Sequence, residues 1–297
     1  MNRLFRFLFL ILTPIPNNAF LRFSFIKELK WKRFHRKVQD TVLTHPVVTN
    51  NRYTKEFAKG TASLNEQRVF IQQFSVFSQL FLIAQLTKVI NAPTIEEMRD
   101  GKEILCNELG VEFNKSGSIE KGVYRHKSAH FEWLSDIAKD LGFKYTNIGR
   151  RKVGSVDTLY FCDELNRLYG SDDDVTAIAA SYAIENWAQA GFWDELTQGF
   201  DIINQKRASN NQKPLSLSFW KYHSMIESQH AAHTVEELKE VYLSGRIEDE
   251  YTFLYLCEEM LDAINIFWKG LETVSYTHLR AHETREERVC RLLREKK

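Results

Sequence analysis

From Leu64 to Asn91 the chain meets neither proline nor glycine, and its phenylalanines fall at 70, 74, 77 and 81. That i, i+4, i+7, i+11 spacing collects the rings on one face of a helix, whereas a strand would throw successive side chains to opposite faces. A long helix with an aromatic stripe turned into a core is therefore expected here. The rest of the chain obeys the same grammar. Only five prolines and thirteen glycines punctuate 297 residues, and no convincing alternating stretch is present. The expected fold class is all-α, a bundle of seven to ten helices.

Helix ends can be read from their caps. Thr94 with Glu97 has the spacing of a capping box and predicts a helix to Leu109, with Gly110 as the stop. A helix over 121–141 should end at Gly142. Ser171, followed by Asp172, Asp173 and Asp174, predicts an N-cap whose carboxylates complement the dipole of a helix carrying Val175 to Trp193. Later helices are expected over 217–232, from Thr234 with a second capping box at Glu237, and over 247–271. No repeat, low-complexity stretch or linker interrupts residues 38–273, which read as one domain.

Charge divides the chain unevenly. Residues 1–37 carry nine Lys and Arg against the single Glu28, while residues 38–273 are net acidic by about ten charges, which argues against a nucleic-acid partner. The start, "MNRLFRFLFLILTPIP", has an apolar run from Leu4 to Leu12 broken by Arg6, too short to span a bilayer. No small-residue cleavage site follows, so it reads as an over-extended start or a surface segment rather than a secretion signal. At the other end "VSYTHLRAHET", Val274 to Thr284, reads as the conceptual translation of a transposase-type sequencing adapter. Residues 274–297 are set aside on that ground, and with them the tempting HxxxH pair His278 and His282. Cys106, Cys162, Cys257 and Cys290 are far apart in sequence and form no CxxC pair, which leaves a reducing, cytoplasmic setting as the expectation.

The candidate chemistry begins at "HSMIESQH". His223, Glu227 and His230 stand at i, i+4 and i+7, within about 60° of one another around a helix, either a solvated stripe or three ligands. Glu185 is the only charged residue between Val175 and Trp193, set among Ala179, Tyr182, Ile184, Trp187 and Ala188. A carboxylate desolvated without a partner costs several kcal/mol, so its burial would call for a cation, a hydrogen-bond network or a metal. Glu108 closes an apolar helix turn, and His130 precedes Phe131 and Trp133. Carboxylates and imidazoles projecting inward from facing helices are how bundles build di-iron sites.

In these residues the chain resembles the haem-oxygenase-like di-iron oxidases and oxygenases, the group that includes the chlamydial protein associating with death domains and the alkene-forming fatty-acid decarboxylase. The likeness runs through "HPVVTNNRYTKEFAKGTASLNEQRVFIQQFSVF", "NELG", "AHFEWLSDIAKDLG", "YAIENWA" and "FWKYHSMIESQH", most of residues 45–233. It implies the ligand set Glu108, His130, Glu185, His223, Glu227 and His230, two Fe(II), and an O2-activating oxidation of a small organic substrate, with an external reductant and a homodimer left open. Glu227 stands where the family usually has Asp. The stretch between Gly110 and His130 is longer than in many relatives, which makes Glu112 and His126 alternates to Glu108 and His130. Relatives also supply a carboxylate from the helix over 64–91. Here the one carboxylate is Glu66 at the helix start, about four turns before the expected place, leaving Gln79 as the substitute donor and a weaker second iron as the expectation. Two rival readings remain: a metal-free enzyme of the same fold, similar to the thiaminase-like or pyrroloquinoline-quinone-forming members, and a non-enzymatic helical binding protein with the polar stripe in solvent.

Overall fold

The computed structural model describes the backbone of residues 19–112, 114 and 118–294, and the side chains of 25–273 apart from 113, 115–117, 128 and 226–230. Helix α1 (Ala19–Thr44) buries Trp31, Phe34, Val38 and Val42, spaced three and four apart as one apolar face requires. Two short helices follow. In α2 (Pro46–Thr49) proline occupies the first turn, where its missing N–H costs nothing, and α3 (Arg52–Phe57) is capped by the Asn51 side chain. The long helix α4 (Leu64–Asn91) starts at a reciprocal capping box between Ser63 and Glu66. After it come α5 (Ile95–Glu108), α6 (His130–Asp140), α7 (Val156–Tyr169) and α8 (Asp174–Ala188). The order ends with α9 (Phe192–Ser209), α10 (Ser218–Ser244) and α11 (Glu250–Arg294).

Helix α4 is the hub. It packs on α5, α6 and α7, while α11 lies along α7 and α8, α10 joins α8 to α9, and α1 closes against α11. The expected aromatic stripe is core: Phe70 and Phe74 are fully buried, and Phe70 stacks on Trp220 while meeting Phe57 and Phe200. By length and composition α4 could cross a membrane, but half of its most apolar stretch is buried by neighbouring helices, as suits a core helix. Gly199 lets α9 reach α3, since a Cβ there would stand 2.3 Å from the Phe57 carbonyl oxygen.

The all-α expectation holds, and the only β feature among the described residues is an isolated bridge between Val111 and Tyr124. Several boundaries differ. The expected break between 37 and 38 falls inside α1, whose Trp31 and Phe34 already belong to the core. The helix expected over 121–141 starts only at His130, because the preceding residues form the bridge and a tight turn over His126–Ser128. Asp173, not Ser171, caps α8 by accepting from the Thr176 amide. Gly191, at φ +105°, breaks the segment expected to run to Trp193 and starts α9. Thr234 caps nothing: its hydroxyl donates to the Ala231 carbonyl inside one continuous α10, so two expected helices are one.

Candidate metal centre

Four helices carry the candidate residues to one place. Glu108 is the last residue of α5, His130 the first of α6, Glu185 lies in α8 and His223 in α10. The long excursion between Glu108 and His130 leaves this arrangement intact because its two ends are tied together. Gly110 turns at φ +103°, the Arg125 amide donates to the Gly110 carbonyl at 3.0 Å, and a Cβ on Gly110 would sit 2.5 Å from the Arg125 carbonyl oxygen. Glycine is what permits that closure.

Ligand atoms of Glu108, His130 and His223 lie within 4.8 Å of one another. His130 is 1% exposed, and its Nδ1 stands 2.7 Å from Glu108 Oε2 without the alignment of a hydrogen bond. Among the described residues no hydrogen bond reaches either of its ring nitrogens. Buried polar atoms are nearly always bonded, so a nitrogen and a carboxylate oxygen that converge without bonding have the geometry of two donors sharing an acceptor of lone pairs. His223 is buried and its Nδ1 donates to the Phe219 carbonyl at 2.7 Å, which fixes the tautomer and the orientation of the ring. Trp193 stacks on the His223 ring at 4.5 Å and Trp133 on His130 at 5.6 Å, holding both imidazoles in plane.

Glu185 borders the same space. A cavity of about 50 Å³ is lined by Glu108, Glu185 and His223 on one side, and by Phe74, Phe77, Ser78 and Phe81 of α4 on the other. Trp187, Trp193 and Phe219 complete the wall. Burial first, then the Glu108 carboxylate, pushes Glu185 up to about 8, against the pull of Lys88. Lys88 belongs to a polar group that sequence reasoning missed. Its Nζ lies 3.0 Å from both Glu237 Oε1 and Ser181 Oγ, and Ser181 bonds also to the buried Tyr169. Lys88 is the one charged residue of α4 beyond Arg68, and that was the signal available; Glu237 instead looked like a cap.

The alternates are placed elsewhere. Glu112 is exposed and paired with Arg125 at 3.0 Å, and His126 is exposed, so neither joins the cluster. Gln79 also misses the cavity. Its Cβ faces Gly149, on the Phe131 side of α4, and Ser78 is the only oxygen-bearing α4 side chain in the lining. Glu227 and His230 lie in α10, but their side chains fall outside the described residues.

No family model and no curated protein matches the chain. Among solved structures it is similar to a CADD-like protein of unknown function from Nostoc punctiforme PCC 73102, with TM-score 0.57 and 14% identity over 83% of this chain and 99% of the other. A domain of unknown function with a heme oxygenase-like fold from Shewanella denitrificans OS217 also matches, with TM-score 0.47 and 15% identity over 86% of this chain and 95% of that one. The class is thereby a fold class: an all-α bundle like that of the CADD-like protein. At this identity the likeness defines architecture, and the chemistry must be argued from the side chains.

Proposed function

We propose that the chain is a non-haem iron oxidase or oxygenase that uses O2 on a small organic substrate. The observation that carries this reading is the convergence of Glu108, His130 and His223 to within 4.8 Å, with no hydrogen bond from a described residue to the His130 ring. Two imidazoles and carboxylate oxygens suit iron, and Glu185 borders the same cavity as a further donor. Iron bound there would supply the one-electron steps that O2 requires and that no side chain of this wall offers. The chain's own residues do the rest. The Phe219 carbonyl holds His223 in its tautomer, Trp193 and Trp133 keep the rings oriented, and the aromatic walls exclude water from the reacting space.

The complement would be two Fe(II), with Glu227 and His230 serving the second and a shared Glu108 between them. The α4 wall offers phenylalanines where a further carboxylate would stand, which supports a tight first and a weaker second iron. Anaerobic Fe(II) titration of the purified apo-protein should show two phases, and admission of air should change the spectrum and consume O2. Failure to bind iron would overturn the proposal.

A second reading has one observation in its favour. A carboxyl held near neutrality, as Glu185 is, suits a general acid or base in a metal-free enzyme of the same fold. That enzyme would act on its substrate equally well in the presence of a chelator. A purely structural polar stripe fits less well, because it would leave His223 in solvent, whereas His223 is 6% exposed.

A further inference from the structure

Helix α1 presents to solvent a face unlike any surface near the cavity. Trp31, Phe34 and Val38 point inward. On the opposite side Lys30, Lys32, Arg33 and Arg36 are exposed, and toward the outer end of the helix Ile26 is 45% exposed, with Phe25 and Leu29 half-buried beside it. On a helix of 3.6 residues per turn, positions 25, 26, 29, 33 and 36 fall within about 100° of one another, with Lys30 at the edge, so apolar and cationic groups share a single outward strip. Lys32 has Glu28 at 3.9 Å, a carboxylate also 3.8 Å from Lys239, and Lys37 is held by Glu250 at 2.7 Å. Among the described residues no carboxylate closes an ion pair with Lys30, Arg33 or Arg36, and Asp40 is the acidic residue at the inner end of the strip. Upstream the sequence continues in the same vein, with Arg3, Arg6 and Arg22 among the apolar residues of Leu4 to Leu12 and Phe20 to Phe23.

We infer that the outer face of α1 docks on an anionic lipid bilayer, with Lys30, Arg33 and Arg36 at the headgroups and Phe25, Ile26 and Leu29 at the boundary with the acyl chains. Apolar residues at one end of a helix face, flanked by unpaired Lys and Arg, are the signature of an interfacial segment. Charge alone would fit nucleic acid as well, but nucleic-acid grooves are lined by cations with stacking aromatics rather than exposed aliphatics. The net acidic body of residues 38–273 would repel a polyanion that tracked beyond α1, whereas a planar surface meets α1 alone. The strip is independent of the proposed iron chemistry, since none of its residues borders the cavity.

Co-sedimentation of the full chain with vesicles tests this. Phosphatidylcholine vesicles containing about a third phosphatidylglycerol should carry the protein down at low salt, pure phosphatidylcholine should not, and raised salt should release it. Arg33→Glu with Arg36→Glu should lower partitioning by about thirtyfold or more, because each basic group near such a surface contributes roughly fivefold. Arg33→Gln with Arg36→Gln should show a smaller loss, and Ile26→Ser a further one. All of these side chains are exposed, and an unchanged thermal melt establishes that the variants fold. No binding to anionic vesicles, binding indifferent to the arginine variants, or preferential binding to a single-stranded RNA oligonucleotide at equal salt would each overturn the inference.

Discussion

On one side of the cavity, α5, α8 and α10 contribute Glu108, Glu185 and His223, with His130 of α6 beside them; on the other, α4 contributes Phe74, Phe77, Ser78 and Phe81. The polar side concentrates groups that are costly to bury, and Lys88 of α4 pulls against the raised Glu185. The α4 side repays that cost by packing: Phe74 meets Trp193 and Phe219, and those two rings hold His223 in turn. The contrast teaches that the two walls are separable. On the proposed reading, changes on the polar side should alter whether iron binds, and changes on α4 should alter how many irons bind.

The largest effect is expected on the polar side. His223→Ala removes a nitrogen whose orientation is fixed by the Phe219 carbonyl, and should weaken Fe(II) binding by more than about a hundredfold, more than loss of an orienting partner alone. Anaerobic titration measures it. Iron retained at unchanged affinity would place the metal elsewhere and dissolve the distinction between the walls.

Glu185 gives the next effect, and its sign is fixed by linkage. The ordinary value for a glutamate is 4.5, and in the fold the group rises to about 8. A raised carboxyl favours the folded state fully below pH 4.5, and that contribution is lost as pH climbs to about 8. Glu185→Gln removes this dependence. The apo variant should exceed the parent protein in stability at pH 8 by on the order of a few kcal/mol, and the difference should vanish near pH 4.5. Chemical denaturation of both apo-proteins across that range measures it. Iron should reverse the ranking, because a ligated carboxylate must lose its proton. A parent protein whose apo stability rises through that window relative to the variant would contradict the buried position of Glu185 beside Glu108.

How much of this contrast could be read from the chain depends on the period of each segment. The α4 stripe was legible because four phenylalanines repeat at helical spacing, and Glu185 because one charge among alanines and aromatics is conspicuous. Caps were read less well: Ser171 and Thr234 have the right neighbours, yet Asp173 lies closer to the α8 amides and α10 runs through Thr234. The position of Gln79 could not be read from spacing alone, for a geometric reason. One residue on a helix is about 100°, enough to turn its side chain toward Gly149 while Ser78 faces the cavity. Glu112 and His126 could not be separated from Glu108 and His130 by spacing, because the Gly110–Arg125 closure is a tertiary contact.

The α4 wall supplies a smaller, constructive test. Phe81 lines the cavity, meets Phe77 and Tyr169, and is only partly buried, so a glutamate there has room to turn toward the metal side without overfilling the core. Phe81→Glu should tighten the weaker iron phase by about tenfold, the effect of one added charged donor worth roughly 1.4 kcal/mol. Gln79→Glu should leave both phases unchanged, since position 79 faces Gly149. Equal responses to the two variants would mean that α4 is rotated in the metal-loaded protein.

The smallest expected effect sharpens the comparison by its absence. Glu112 and His126 have the right chemistry for iron and the right distance in sequence, yet both lie on the exposed excursion between α5 and α6, and Glu112 is already spent on Arg125 at 3.0 Å. An exposed ion pair of that kind contributes about 0–1 kcal/mol, and an exposed imidazole less. Glu112→Gln and His126→Ala should therefore leave Fe(II) affinity within about twofold and the thermal melt within about a degree or two, by titration and calorimetry respectively. If His126→Ala instead removed iron, the excursion would have to fold inward on loading. His130, whose nitrogens no described residue bonds, would then owe its burial to ring contacts with Trp133, Tyr222 and His223.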